Sequence, residues 1–147
     1  MENGPKLLKI EPDLFERVWP SCEGLLRRGL AAAPELLGPE TRIRIADGTL
    51  QLWLVVEMNP ARLLAVFFTD INEEPTGEKW VCVHALGGRQ MWRWARKLSD
   101  GMHSFALAEG CKAIRFAGKK AWGRVLREYS RAGTASNGQP IFERIVA

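Results

Sequence analysis

The stretch Lys79–Gly110 constrains the fold most, because a strand pattern passes into a helix pattern there across two adjacent glycines. Its first part, Trp80–Leu86, is a short apolar run rich in valine, which predicts a buried strand. Gly87 and Gly88 then interrupt the run. Within residues 91–106, apolar residues recur at three- and four-residue spacing, which predicts one buried face of an amphipathic helix. The sequence therefore predicts a strand, a glycine turn and a long helix, in that order.

The predicted glycine turn has two interpretations. The first N–H groups of a helix have no partner within the helix, so a turn that presents them can bind a phosphate or another anion. A tight turn also requires glycine for steric reasons alone, whether or not a ligand binds. The residues leave both interpretations open. At the far end, Gly110 lies where a left-handed helix cap is least strained, so the helix is predicted to end there.

Composition limits the classes of protein that the chain can belong to. A length of 147 residues predicts one domain. Twenty-one Lys and Arg against 17 Asp and Glu give a net charge of +4. This small excess permits contact with phosphate-bearing ligands but argues against a nucleic-acid partner. The three cysteines show no metal-ligand spacing and only two histidines are present, so no metal site is predicted.

The apolar runs are too short for a membrane protein. The longest, such as Leu52–Val56 and Leu63–Phe68, cannot span a bilayer. The N-terminal residues lack the apolar core of a signal peptide. We therefore expect no membrane partner and a cytoplasmic location.

The remaining patterns give an order of elements. Residues 34–47 are ambiguous, because Thr41, Ile43 and Ile45 alternate as in an edge strand, while the same stretch could form a short helix ended by Gly48. The other predicted elements are a strand at Lys6–Ile10, a helix kinked or split at Pro20 over Asp13–Ala32, strands at Leu50–Glu57, Leu63–Ile71 and Trp80–Leu86, the long helix, a strand at Lys112–Phe116, a helix at Gly118–Tyr129 and a strand at Ile141–Val146.

This order resembles that of the GNAT superfamily of acetyl-CoA-dependent N-acetyltransferases over nearly the whole chain. The resemblance implies a single α+β domain over residues 1–147, with a mixed, mostly antiparallel sheet and helices on both faces. It also implies a helix over Glu40–Ala46. Trp80–Leu86 corresponds to the family's fourth strand, and Gln90–Glu109 to the helix that follows its pyrophosphate loop.

The resemblance further implies acetyl-CoA as the cofactor. The residues that correspond to the cofactor loop are Leu86, Gly87, Gly88, Arg89 and Gln90. The family's loop has spaced glycines with Arg or Gln three residues before them, whereas ALGGRQM has adjacent glycines and no such residue. We therefore expect a degenerate acetyl-CoA loop.

Three residues are candidates for proton transfer. His84 is the possible base within the fourth strand, and its ordinary pKa suits removal of a proton from an amine beside a thioester. Glu57 and Asp70, at the ends of the hairpin strands, are the other two. The structural alternative for His84 is a core or edge histidine bonded to a neighbour, and for the two carboxylates it is a solvated strand end. The family's tyrosine after a leucine in the last helix is replaced here by Arg127 after Leu126.

Two of the six tryptophans are hard to place in a core. Trp92 lies two residues from Trp94 and so points away from the same helix face. Trp92 and Trp122 are therefore candidate interface anchors, because aromatic residues are enriched at binding surfaces. Core packing remains the alternative.

The stretch RFAGKKAWGRVLREYS also resembles small acetyltransferase-like proteins encoded by tailed bacteriophages. That resemblance implies a host-cytoplasmic or virion location and partner chains in an assembly. Two functional hypotheses remain. The first is a GNAT-fold protein with a degenerate loop that serves as a structural or interaction protein without catalysis. The second is an active N-acyltransferase that transfers an acyl group from acyl-CoA to an amine.

Overall fold

The computed structural model describes residues 4–29, 39–58 and 60–146, and for residues 26–29 and 85–87 it describes the backbone alone. The strands and helices in chain order are β1 (Lys6–Ile10), α1 (Phe15–Gly29), α2 (Pro39–Asp47), β2 (Gln51–Glu57), β3 (Arg62–Glu73), β4 (Lys79–Gly88), α3 (Ala95–Ala108), β5 (Ala113–Ala117), α4 (Trp122–Val125), β6 (Ser130–Thr134) and β7 (Pro140–Ile145). Short 3₁₀ turns at Pro12–Leu14 and Met91–Arg93 precede α1 and α3.

The strands form one seven-stranded sheet in the order β1-β2-β3-β4-β5-β7-β6. The pairs β1–β2, β2–β3, β5–β7 and β6–β7 are antiparallel. Strands β4 and β5 are parallel, with Trp80–Val83 paired to Ala113–Phe116. Helix α3 supplies the crossover connection that a parallel pair requires. The predicted α+β fold with a mixed, mostly antiparallel sheet is confirmed.

The described residues fall into two compact units. The first unit holds the described residues up to Thr69 together with His84–Trp94. The second unit holds Asp70–Val83 and the described residues from Ala95 onward. Both β3 and β4 therefore pass from one unit into the other along the chain. The single domain over residues 1–147 stays a prediction.

In the first unit, α1 and α2 contribute to the same core as β2 and β3. Its buried residues are Phe15, Cys22, Leu25, Ile45, Leu50, Leu52, Leu54, Val66 and Phe68. The strand residues between them are buried as well, and Trp53 stacks on Phe67 with ring centroids 5.9 Å apart. Both faces of β2 and β3 are thus removed from water, which accounts for their continuous apolar sequences.

The ambiguous stretch before β2 forms a helix, α2, as the resemblance implies. Its buried residues Thr41 and Ile45 are four residues apart and so share one helical face. Gly48, with φ of +83°, follows the helix. The hydroxyl and the backbone N–H of Thr49 donate to Asp47 Oδ1 at 2.7 and 2.9 Å. These two hydrogen bonds lower the pKa of Asp47.

In the second unit, α3 ends at Ala108 and is capped by the predicted glycine two residues later. Its buried face consists of Ala95, Leu98, Ser99, Met102 and Ala106. Gly110 has φ of +69°, and its N–H donates to the Leu107 carbonyl at 3.2 Å. The N–H of Cys111 donates to the Ala106 carbonyl at 2.8 Å. These two bonds form a Schellman motif, which confirms the predicted glycine cap.

The glycine pair does not end β4, and the prediction that it does is wrong. The strand continues through Gly87 to Gly88. A Cβ on Gly88 would lie 2.6 Å from Ala65 Cβ and 2.8 Å from the Leu64 carbonyl oxygen. Glycine is therefore required there by close packing against β3. The 3₁₀ turn follows, so α3 begins at Ala95, five residues later than predicted.

The predicted helix over Gly118–Tyr129 is also wrong in extent, because α4 is a single turn and the unpredicted strand β6 follows it. Leu126, with φ of −99° and ψ of 76°, leaves the helical region directly after α4. A Cβ on Gly123 would lie 3.0 Å from the Phe142 ring, so this turn sits close against β7. All five residues of β6 are exposed, so no apolar alternation indicates a strand.

Helix α1 is one element through Pro20, although the sequence predicts a kink or split there. Pro20 removes one hydrogen bond from the helix interior. The predicted end of this helix at Ala32 lies outside the described residues, as does Asn59 before β3. Among the helices that the structure describes, none has both the length and the apolar character to cross a bilayer.

Replacing Gly88 by Ala tests whether packing fixes this glycine. We expect Gly88→Ala to lower the free energy of unfolding by about 1–3 kcal/mol, because the new methyl group must displace backbone atoms of β3. Gly24→Ala is the matched control, since nothing lies within 4 Å of a Cβ built at Gly24 in α1. It should raise stability by roughly 0.5–1 kcal/mol through helix propensity. Urea unfolding measures both, and a Gly88→Ala protein as stable as the wild type would contradict the packing argument.

Candidate functional site

The loop after β4, residues 89–94 of the first unit, is held by one hydrogen bond to the sheet and one between its own two ends. The backbone N–H of Arg89 donates to the Leu64 carbonyl of β3 at 2.9 Å. The indole N–H of Trp94, whose ring is buried, donates to the Arg89 carbonyl at 2.8 Å. The N–H of Arg89 is thus already paired within the sheet. It is not one of the N–H groups that a bound anion could use.

Gln90 lies in the middle of the hydrogen bonds that this loop makes through side chains. Its backbone is left-handed, with φ of 56° and ψ of 45°, which is uncommon for a residue other than glycine. Its side-chain Oε1 accepts a hydrogen bond from Arg93 Nη1 at 2.9 Å and another from Arg62 Nη2 at 3.2 Å. Hydrogen bonds from a charged donor are stronger than neutral ones, so they offset the unfavourable backbone conformation.

Glu57, at the end of β2, joins the same two arginines. Arg93 Nη2 lies 2.5 Å from Glu57 Oε2, and Arg62 Nε lies 3.2 Å from Glu57 Oε1. The hydrogen bond from Arg93, together with the charges of Arg93 and Arg62, lowers the pKa of Glu57 and outweighs its desolvation. The same hydrogen bond raises the pKa of Arg93. Glu57 is therefore an ionised carboxylate with both oxygens engaged.

We call Glu57, Arg62, Gln90 and Arg93 the loop clasp. It connects the β2–β3 hairpin to the loop after β4 through side chains alone. Arg89 extends from the same loop, and within the described part of the chain its guanidinium makes no hydrogen bond or ion pair. Arg62, Arg93 and Arg89 carry three positive charges against the one carboxylate of Glu57, which leaves an excess of positive charge at this loop.

The other predicted site residues lie along the strands. His84 is a half-buried residue of β4, four positions before Gly88. Leu86 and Gly87 lie in the same strand, and their side-chain positions are outside the described structure. Tyr129, the one tyrosine, follows α4 in the second unit rather than lying on a helix. Burial raises the pKa of its phenol to about 12, so it stays protonated.

Sequence reasoning did not assign Arg62 to the site, and for Arg93 it weighed a place near the phosphates of a cofactor against a solvated position on a helix. A signal for Arg62 exists, because Glu57 and Arg62 face each other across the predicted hairpin and opposite charges there attract. Arg93 lies 36 residues from Glu57 along the chain. Its sequence position predicts a charged, solvated helix residue, since the local pattern gives no indication of the 3₁₀ turn that redirects it.

The two candidate interface tryptophans differ in exposure. Trp92, in the 3₁₀ turn, is 75% exposed, and Met58, next to Glu57, is 54% exposed. Trp122 is half-buried in the second unit and packs edge-on against Phe116 with ring centroids 6.0 Å apart. Trp92 is thus accessible to a partner, whereas Trp122 already contributes to packing.

Known structures share this fold over most of their length. A GCN5-related N-acetyltransferase from Ralstonia eutropha superposes with a TM-score of 0.64 at 19% identity, covering 90% of this chain and 97% of the other. A GNAT-family acetyltransferase from Listeria monocytogenes gives a TM-score of 0.61 at 10% identity, with 96% and 94% covered. No family model and no curated protein matches the sequence.

A third structure carries a ligand. It is a predicted acetyltransferase from Clostridium acetobutylicum crystallised with acetyl-CoA, with a TM-score of 0.63, 15% identity and coverage of 90% of this chain and 92% of that one. At such identities the likeness establishes the fold alone. The chain therefore has the GNAT acetyltransferase-like fold.

Replacing Glu57 by Gln tests the loop clasp, since it removes the shared charge and preserves the shape. We expect Glu57→Gln to have a lower melting temperature than the wild type at neutral pH, because two guanidinium groups lose their ionised acceptor. Glu73→Gln, at the exposed end of β3, is the matched control and should melt as the wild type does. Circular dichroism during heating measures all three proteins.

The same pair of proteins gives a pH dependence. Since the pKa of Glu57 is lowered in the folded state, its stabilising effect is present above the unfolded-state pKa of about 4.3 and is lost as pH falls through the folded-state pKa. The difference in melting temperature between wild type and Glu57→Gln should therefore shrink between about pH 5 and pH 3. A difference that stays constant over this range would contradict the assignment.

Proposed function

We propose that this chain binds acyl-CoA at the loop after β4 and that arginine side chains, rather than a cradle of backbone N–H groups, hold its phosphates. The observation that carries the proposal is the loop clasp with Arg89 beside it. The GNAT-like fold supports the choice of ligand, because the loop occupies the position that the sequence resemblance assigns to the pyrophosphate. The structure crystallised with acetyl-CoA supports it further.

The chemistry of the clasp suits a diphosphate. Each guanidinium has five N–H donors in a planar fork, and Glu57 and Gln90 occupy only part of those on Arg62 and Arg93. The remaining donors and all those of Arg89 can point to phosphate oxygens. Three guanidinium groups against one carboxylate leave a positive excess that complements a doubly charged diphosphate bridge.

Arginine side chains would compensate for the degenerate loop. The glycines are adjacent rather than spaced, Gly88 is packed against β3, and the N–H of Arg89 is paired with Leu64. Fewer backbone donors are therefore available than a glycine-spaced loop offers. Charge-assisted hydrogen bonds from guanidinium groups are about twice as strong as neutral ones, so a few of them can replace several backbone donors.

Acyl transfer to an amine would require a group that removes the amine proton. Glu57 is poorly suited to this role, because two arginines stabilise its ionised form and both oxygens accept hydrogen bonds. We therefore assign Glu57 to positioning Arg93 and the loop. His84 remains the candidate base within this proposal. An N-acyltransferase is thus the enzymatic extension of the acyl-CoA site.

An interaction role is a second candidate, favoured by the exposure of Trp92. An indole that is 75% exposed, with Met58 also exposed, is the kind of anchor that carries binding energy in protein interfaces. A structural or interaction protein of a phage particle is one setting for this role. Substitution of Trp92 should then abolish partner binding and leave acetyl-CoA binding unchanged.

Isothermal titration with acetyl-CoA tests the proposed site. Arg89→Ala should weaken binding about tenfold or more, because it removes a charged donor that makes no side-chain hydrogen bond or ion pair in the described chain. Arg17→Ala, an exposed arginine of α1, is the matched control and should bind as the wild type does. The absence of wild-type binding at millimolar acetyl-CoA would refute the proposal, and equal affinities for all three proteins would refute the role of Arg89.

A further inference from the structure

A short segment of the second unit is strongly basic. Residues 119–131 contain five Lys or Arg and a single Glu, a surplus of four. Residues 89–97 hold four further Lys or Arg without an acidic residue, and acidic residues elsewhere in the chain offset that second surplus, so that the whole chain also has a surplus of four. A net charge spread evenly over the surface would indicate little. A net charge held within thirteen residues makes a local field.

The apolar residues of this segment face the core of the second unit. Trp122 and Tyr129 pack edge-on against the Phe116 ring with centroids 6.0 and 5.5 Å apart. Leu126 is 1% exposed, and Gly123 approaches the Phe142 ring. The short helix α4 and the turns around it are therefore anchored by one side.

The basic residues lie on the solvent side of the same segment. All five are exposed, and they are Lys119, Lys120, Arg124, Arg127 and Arg131. Arg124 lies in α4, and Lys120 lies in the turn that precedes this helix. Within the described chain the first four make no ion pair, and Arg131 donates only to its own turn, to Thr134 and Gly133. We call these five residues the basic face.

The one acidic residue of the segment does not neutralise this face, because it is engaged inward. The buried Ser99 hydroxyl of α3 donates to Glu128 Oε1 at 2.9 Å, and Arg96 Nη1 lies 4.0 Å from the same oxygen. Arg144 Nη1 in turn donates to Ser99 Oγ at 2.9 Å. The carboxylate of Glu128 is thus balanced by groups of α3 and β7, and the charge of the basic face is left uncompensated.

We propose that the basic face binds the phosphate backbone of a nucleic-acid duplex without sequence preference. Such binding needs a rigid array of exposed cations, and Arg is well suited to it because its planar fork can bond two phosphate oxygens. The proposal concerns the second unit and goes beyond the acyl-CoA site of the first. The small net charge of the chain argues against this class of partner only when the charge is averaged over the whole surface.

Other anionic partners fit the face less well. A protein partner would need a central aromatic or apolar anchor, and the aromatic and leucine side chains of this segment face inward. Single-stranded nucleic acid would need exposed rings on which bases stack. Stable attachment to a membrane needs an apolar insertion in addition to charge. A duplex backbone needs cations alone, which is what the face offers.

Fluorescence anisotropy with a labelled DNA duplex of about 20 bp tests the proposal. The logarithm of the wild-type binding constant should fall with the logarithm of salt concentration, with a slope of about −4.5 for five phosphate contacts. The double variant Lys120→Glu/Arg124→Glu should bind at least about tenfold more weakly, with a slope smaller by about 2. The double variant Lys120→Gln/Arg124→Gln, which removes the charges without reversing them, should also weaken binding. It separates the loss of binding from any effect that charge reversal has on folding.

The matched control is Lys6→Glu/Arg17→Glu, which removes the same charge from exposed residues of the first unit. It should change the affinity for the duplex by less than about twofold. Acetyl-CoA titration should be unchanged in the basic-face variants, so the two proposed sites fail or succeed separately. The absence of wild-type binding at about 50 mM salt, equal weakening by the control, or tighter binding to phosphatidylserine vesicles than to the duplex would each overturn the proposal.

Discussion

The ion pair between Glu57 and Arg93 is the contact on which the structure of the candidate site depends. Arg93 lies in the loop after β4 and Glu57 at the end of β2, and the two are 36 residues apart in sequence. Arg62 also forms an ion pair with Glu57, and it donates a hydrogen bond to the side chain of Gln90. Gln90 adopts a left-handed backbone that costs free energy, and the two guanidinium groups bonded to its side chain stabilise that conformation. Without the carboxylate, two like charges would lie close together with no counter-ion.

The close contact between β4 and β3 limits the backbone N–H groups that this loop can offer to a ligand. Gly88 has no space for a Cβ, and the N–H of Arg89 is used in a bond to β3. The backbone N–H groups at the end of β4 therefore remain close to β3, whereas a phosphate-binding turn would leave such groups available to a ligand. The positive charge then comes from Arg62, Arg89 and Arg93. The basic segment of the second unit shows a similar division of roles. Its apolar side chains pack inward and hold α4 in place, while its basic side chains remain exposed.

Local patterns predict the fold better than they predict the site. The apolar runs of β2 and β3 and the glycine cap of α3 are encoded by neighbouring residues, so the sequence alone predicts them. The contact of Arg62 with Glu57 could also be predicted from the sequence, because the two residues are paired across a hairpin. The sequence could not predict the 3₁₀ turn at Met91–Arg93, because this turn depends on contacts distant in sequence. It could not predict strand β6 either, because β6 has no buried face. Net charge concealed the basic face for a similar reason, because a sum carries no information about position.

The central claim is that Glu57 positions the arginines for a phosphate-bearing ligand. A titration of Glu57→Gln with acetyl-CoA tests it most directly, because electrostatics and positioning then act in opposite directions. Removal of a negative charge next to an anion site would by itself strengthen binding of acetyl-CoA. The positioning account predicts the reverse, namely weaker binding than in the wild type, with Glu73→Gln unchanged. Tighter binding of acetyl-CoA by Glu57→Gln would contradict the account.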